Sequence, residues 1–373
     1  GLRQSLGLFL TPMERDLGIT AANFGLAMAV QNLAWGISQP VTGMLADRYG
    51  SRVVALFAGP VYVLGLIFMA LGGAVGLHIG GGVLVGLAVA GSAFGVVLGA
   101  VARSVPDDKR AIAVSIVSAA GSIGTMVLAP LGQHLINDHG WQSALLAFAV
   151  VATVISVCGL ALENRSSEVS DPDQANPVAA VRQAFAHPGF CAMTVAFLAC
   201  GFQLVFISTH LPSYLEICGI APSVGATALG LIGVANAIGT LALGILGARF
   251  GNSNVLCLVY LLRTAAIAVY VLVPVSVEST LIFAAAMGLL WLGVAPLVSA
   301  IITSMFGSAN FGVLFGVMFF SHQLGSFAGA WLGGVSFDVT GNYTMAWWGL
   351  VFIGVIAALL QALADDRPRE MPA

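Results

Sequence analysis

The sequence predicts an all-α integral membrane protein, on three observations: an extreme apolar composition, apolar runs that recur at bilayer-crossing length, and charge confined to the intervals between them. Of the 373 residues, 59% are hydrophobic and 8% charged, against about 45–50% apolar and about 25% charged in an average soluble domain. With a mean hydropathy of +0.99, there is more apolar side chain than one water-facing core can hide, so lipid is the natural solvent for the surface. The same numbers exclude other classes. A net charge of -3 provides no basic field for nucleic acid, and Lys and Arg form no cluster with aromatics. The five cysteines are scattered without C-x-x-C spacing and read as small core residues, so neither a metal nor a cofactor is expected.

Apolar runs of about 20 residues with at most one charge mark helical spans. They are Phe24–Leu45, Val53–Val75, Gly80–Val101, Ala111–Leu135, Trp141–Leu162, Phe190–Tyr214, Gly225–Gly247, Val255–Pro274, Leu281–Thr303, Phe311–Phe337 and Thr344–Ala364. A shorter apolar stretch ends at Pro12 and reads as the first span in truncated form, bringing the expected number to twelve. Between the sixth and seventh spans, Glu163–Pro188 is rich in Asp, Glu, Ser and Pro, and reads as the one linker. The expected organisation is therefore a six-helix bundle over 1–162, a linker over 163–188, and a second six-helix bundle with a short tail over 189–373.

Ten of the 13 Lys and Arg fall on the linker side of the spans and only Arg15 on the other, with Arg3 and Arg263 inside spans. Positive charge marks the cytoplasm, so both termini and the linker are expected there, in a plasma (inner) membrane, with the lipid bilayer as the main partner. Nothing in the chain calls for a second copy, and a monomer is expected.

The two halves repeat one another. Gly43-Met-Leu-Ala-Asp-Arg-Tyr-Gly50, between spans two and three, matches Gly244-Ile-Leu-Gly-Ala-Arg-Phe-Gly251, between spans eight and nine, at Gly, Leu, Arg and Gly. Parallel repeats six spans apart are what two bundles rocking around a midplane site require. The run continuing to Ser51-Arg52 resembles the signature loop of the major facilitator superfamily at the position where that family has it, and the resemblance covers the whole chain. It implies the twelve-helix major facilitator fold. It also implies that Asp47, with Arg48 and Arg52, gates the cytoplasmic face by holding the bundles together there; a solvated charged turn is the competing reading.

Within that superfamily the chain is most similar to bacterial relatives of monocarboxylate and oxalate/formate transporters. The segments that carry this are Gly1–Pro12, Gln31-Asn-Leu-Ala-Trp-Gly36, Gly201–Tyr214 and His322-Gln-Leu-Gly325. The resemblance implies a carboxylate held by a cation on the first span, here Arg3, and by an arginine on the eighth. The eighth span departs from the pattern, with Asn236, Gly239 and Thr240 where an Asp and an Arg are expected. The pair through which the resemblance would couple protons is therefore not present on this span.

Arg3 and Arg263 both fall near the bilayer centre, where an Arg costs about 2.5–3.5 kcal/mol and must find acceptors. Every Asp and Glu lies in a loop, at a span edge or in a tail, so no acid is buried to neutralise them. Surplus cation without a counter-ion favours an anionic ligand, and a guanidinium fork fits a carboxylate. Arg3 lies on a cavity-lining span; Arg263 lies on the ninth, a support span in this fold, where bonding to backbone is the competing reading. His322 and Gln323 in the eleventh span, and Gln31, Asn32, Gln203 and Asn236, complete the candidate ligand set; interhelical hydrogen bonding is the alternative for each.

The functional expectation is a secondary transporter moving a small organic anion, a monocarboxylate or similar, by proton symport or anion exchange. Efflux of drug-like or other apolar compounds is the alternative, and a non-transporting membrane sensor a second. Neither a zinc-protease nor a hydrolase-nucleophile motif occurs, which argues against an enzyme.

Overall fold

The computed structural model describes residues 1–92, 96, 97, 100, 107–162, 177–307 and 311–364. The side chain of Asp47, most of the linker (163–176) and the tail after 364 lie outside the described residues. Among those described, every regular element is helical. The first helix, α1, joins a 3₁₀ segment, Arg3–Phe9, to an α-helical one, Leu10–Leu17. Then come α2 (Ala21–Tyr49) and α3 (Ser51–Leu71). Next, α4 runs from Gly73–Gly76 through a π-helical stretch, Leu77–Leu84, into Val85–Ser92.

The two parts of Asp107–Leu160, divided at Gly140 with φ 81°, are α5 and α6. A short linker helix, Pro177–Phe185, leads to α7 (Pro188–Ile217), α8 (Pro222–Phe250) and α9 (Asn252–Leu272). The tenth, α10, is in two pieces, Val277–Leu289 and Val294–Phe306, followed by α11 (Phe311–Thr340) and α12 (Thr344–Ala362). Among the described residues nine helices are long and apolar enough to cross a membrane. The count becomes twelve when Ala120–Leu160 is divided at Gly140 and the short α1 and the amide-bearing α2 are included.

Local sequence explains where these helices start and stop. Thr20 caps α2 by accepting from the Asn23 N–H at 3.2 Å, and Ser276 with Ser279 forms a reciprocal capping box at the start of α10. Pro188 and Pro222 occupy the first turns of α7 and α8, where a missing N–H costs nothing. Gly50 and Gly251, the last glycines of the two repeated loops, share φ 90° at the reversal between consecutive helices. A side chain is disfavoured in that conformation, so the repeat seen in sequence is a repeated backbone turn.

Two boundaries differ from expectation. The reversal between α3 and α4 lies at Gly72 and Gly73, well before Gly80, and the helix then passes His78. The tenth span is broken over 290–293, within what reads as one apolar run.

The two halves meet where α1 packs on α7, α2 on α11, and α5 on α8. Within the second half α8 packs on α10 and α9 on α12. Large apolar side chains remain exposed around the outside, among them Phe57, Leu71, Ile245, Ile282 and Leu363. In a helical protein whose backbone is internally bonded, that surface suits hydrocarbon.

Candidate functional site

The site forms where α1, α2, α7 and α11 converge. Arg3 comes from the 3₁₀ segment of α1, and its Nη2–H donates to Asn32 Oδ1 of α2. Asn32 is oriented for this because its own Nδ2–H donates to Met28 O at 2.7 Å. The guanidinium lies over the Trp35 ring, 4.9 Å from its centroid, a cation–π contact. Arg3 Nε is buried with no hydrogen-bond partner.

Trp35 carries the site across to the other half. Its ring stands edge-on to Phe319 of α11 at 5.1 Å, and Phe319 stacks on His322 at 6.2 Å. His322 Nδ1 lies 3.2 Å from Gln323 Oε1, and its ring packs 4.8 Å from Phe197 of α7. Gln323 is fully buried, lies against α2 at Gly36, and its Nε2 has no partner. The cluster thus holds two unpartnered donors, Arg3 Nε and Gln323 Nε2, contributed by the two halves.

Beside Arg3 is a small cavity lined by Leu6, Gly7, Met28, Gln31, Asn32, Val205, Ser208 and Thr209. At about 10 Å³ it has room for about one water, so an organic molecule enters only if the walls part. Among the described residues neither Arg3 nor Arg263 forms an ion pair; Arg15 with Glu216 does, at the ends of α1 and α7, and His134 Nδ1 lies 3.3 Å from Asp138 Oδ2 at the end of α5. No group of His, Cys, Asp and Glu among the described residues is arranged to hold a metal ion.

The candidate residues divide. Arg3 is bonded to Asn32, His322 and Gln323 are linked to that pair through Trp35 and Phe319, and Gln31 lines the cavity beside Arg3 although its Nε2–H donates to Gly81 O of the π-helical stretch at 2.6 Å. Gln203 faces α12, donating to Leu350 O at 3.0 Å. Asn236 is engaged on three sides: its Nδ2–H donates to Ser122 Oγ of α5 at 2.9 Å, and its Oδ1 accepts from the Leu292 N–H at 2.9 Å and from Thr240. Arg263 is fully buried and donates to Leu290 O, to Trp291 O at 3.0 Å and to Cys200 Sγ at 3.0 Å. Its Nη2 hydrogens fall on carbonyls freed by the α10 break, the role that a support helix would give it, while its Nε, like that of Arg3, is buried without a partner.

Of the residues expected to gate, Arg48 is exposed over the Tyr49 ring at 5.3 Å and Arg52 is half-buried, at the turn that Gly50 makes. Sequence reasoning passed over Trp35, Phe319, Phe197, Ser208 and Thr209 as site residues. The available signal was helical spacing: Trp35 lies one turn beyond Asn32, and Phe319 one turn before Gln323.

This architecture, a twelve-helix membrane bundle with a repeated loop in each half and a polar cluster between the halves, is that of a membrane transporter and not of an enzyme. The chain belongs to the Major Facilitator Superfamily, whose family model matches residues 2–330. It is 25% identical to monocarboxylate transporter 13 of Rattus norvegicus, over 92% of this chain and 80% of that protein. It is also 34% identical to monocarboxylate transporter 11 of Mus musculus, over 43% of this chain and about a third (36%) of that one. The oxalate:formate antiporter of Oxalobacter formigenes is 24% identical over 42% of this chain and 37% of its own length.

Two solved structures share the fold. One is a bacterial homolog of the human lysosomal transporter Spinster, with TM-score 0.76 and 16% identity over 99% of this chain and 95% of that one. The other is the nucleoside transporter NupG, with TM-score 0.79 and 13% identity over 97% and 96%.

Proposed function

We propose that the chain is a secondary active transporter of a small organic anion, a monocarboxylate or similar, and that it works by alternating access. The observation that carries this reading is the Arg3 guanidinium: half-buried between the halves, without an ion pair among the described residues, and with a buried, unpartnered Nε beside a cavity. A carboxylate arriving there would take a charge-assisted hydrogen bond at Nε and supply the missing counter-charge, and Gln323 Nε2 would serve as a second donor from the other half. Bonds to both halves are made together only when the walls close on the ligand, so binding would favour the occluded state. The names of the relatives, monocarboxylate transporters and an oxalate:formate antiporter, support the same substrate class.

The end of the bundle bearing the linker helix is assigned to the cytoplasm on the distribution of Lys and Arg, with both termini on that side and the protein in the plasma (inner) membrane as a monomer. Proton symport and anion exchange are the two coupling modes open to it. Counterflow of radiolabelled lactate, oxalate and formate in proteoliposomes tests the function. Accelerated uptake of at least one acid, abolished in Arg3→Ala while that protein stays folded, is expected. Undiminished uptake by Arg3→Ala removes Arg3 from the substrate site.

A further inference from the structure

At the end away from the linker, an acid on α11 takes over the capping of α2. Asp338 Oδ1 accepts from the Ala21 N–H at 3.1 Å, and its Oδ2 from the Ala22 N–H at 3.0 Å. These are the first two N–H groups of α2, which no residue within the helix can satisfy. The next two are met locally, Asn23 by Thr20 Oγ1 and Phe24 by Thr20 O. Half of the N-terminal donors of α2 are therefore capped from the opposite half of the protein, more than 300 residues away in sequence.

The backbones are held close for this to happen. Gly334, one turn before Asp338 on the same face of α11, meets the Ala21 carbonyl so closely that a Cβ there would overlap it, and Gly25 of α2 stands in the same relation to the Ala330 carbonyl. Alongside, Arg15 at the end of α1 pairs with Glu216 at the end of α7 at 3.6 Å. Because Arg15 is exposed, that pair adds little. The Asp338 contact differs in kind: its carboxyl, itself exposed, sits at the positive end of a helix and accepts from two donors that have no other partner among the described residues.

We propose that Asp338 is a conformational latch that closes the outer end of the transport pathway by capping α2, and that it must release each time this end opens. The inference rests on the alternating-access reading, but its test requires no substrate. It also makes α2 and α11 reciprocal. Asp47 lies two residues before the end of α2, as Asp338 lies two residues before the end of α11, and the two helices run antiparallel in contact. Each helix thus carries an acid at the end where its partner begins.

The test uses Ser208→Cys, which lines the cavity, in a Cys218→Ser background, labelled from outside intact cells with a membrane-impermeant maleimide. Asp338→Asn and Asp338→Ala should raise the labelling rate by about three- to tenfold, the range in which loss of a cap with its helix-terminal charge falls, and Asp338→Glu by less. Two further variants separate the explanations. Thr20→Ala weakens α2 without touching the contact between halves and should leave the rate unchanged while speeding hydrogen exchange at the start of α2. Gly334→Leu forces the helices apart and should raise the rate at least as much as Asp338→Ala.

If Gly334→Leu labels faster and the Asp338 variants label like the parent, the latch is wrong. If Thr20→Ala matches Asp338→Ala, the effect is helix fraying and the latch is again wrong. If Gly334→Leu also leaves the rate unchanged, the outer seal and the alternating-access reading both fail. Gel filtration and the thermal midpoint identify variants that do not fold, and the isosteric Asp338→Asn decides the matter if Asp338→Ala is one of them.

Discussion

Arg263 separates a structural arginine from a substrate ligand, and replacing it with Gln tells the two apart. Its guanidinium makes bonds to Leu290 O, Trp291 O and Cys200 Sγ, and the first two are carbonyls exposed by the break in α10. A charge-assisted hydrogen bond contributes about 1.5–3 kcal/mol, and interhelical bonds in membranes fall toward about 0.6 kcal/mol, so two such carbonyl bonds place the loss at about 2–4 kcal/mol. At about 2–4 °C per kcal/mol, the thermal midpoint in detergent should fall by roughly 5–15 °C. The assay is fluorescence-detected gel filtration after heating, run beside initial-rate uptake in proteoliposomes. Arg263→Gln should lose stability and maximal rate together while the KM for the transported acid stays within about twofold, because uniform ground-state binding is untouched. An unchanged midpoint with a tenfold or larger rise in KM would refute the structural assignment and return Arg263 to the substrate site.

Other outcomes follow from the same geometry. Asn32→Asp places a carboxylate on the atom that already accepts from Arg3, supplying the missing counter-ion internally. Acid uptake should fall by at least about tenfold as the guanidinium pairs within the protein, whereas Asn32→Ser should keep most of it. Trp35→Leu removes the cation–π contact and the bridge to Phe319, and should raise KM by about 2- to 30-fold, as loss of a contact of about 0.5–2 kcal/mol implies. A Cβ at Gly7 would overlap the Ser208 carbonyl of α7, so Gly7→Val should block closure of α1 on α7 and stop counterflow, with the protein still inserted and monodisperse.

Much of the fold was legible because membrane physics leaves few choices. Twenty-residue apolar runs become helices, and the repeated loops announced themselves through Gly50 and Gly251, whose shared positive φ only glycine tolerates. What the sequence hid were irregularities inside apolar runs. Leu290-Trp-Leu-Gly293 carries no polar breaker, and its non-helical turn depends on partners from elsewhere, Arg263 on its carbonyls and Asn236 on the Leu292 N–H. The π-helical stretch of α4 is similarly silent, marked by three consecutive glycines and by Gln31 bonded to one of their carbonyls.

The candidate site was half legible for a related reason. Charge imbalance is a property of composition and depth, so Arg3 stood out from the sequence alone. Which amide faces it is a property of rotation about each helix. Asn32 and Gln323 point to the cluster, while Gln203 and Asn236, equally polar and equally deep, turn toward α12 and α5. An amphipathic stripe would reveal that rotation in water; in lipid both faces of a helix are apolar and the cue is lost.

The most direct measurement of the anion site is equilibrium binding of an acid and of its neutral amide to purified protein, parent and Arg3→Gln side by side. Lactate and lactamide form one such pair, and the transported acid with its own amide replaces them once counterflow has named it. With Arg3 as the ligand's counter-charge, the parent should bind the acid at least about tenfold more tightly than the amide, and Arg3→Gln should lose that preference. An Arg3→Gln protein that still prefers the acid by the same factor would show that the charge recognising the anion lies elsewhere.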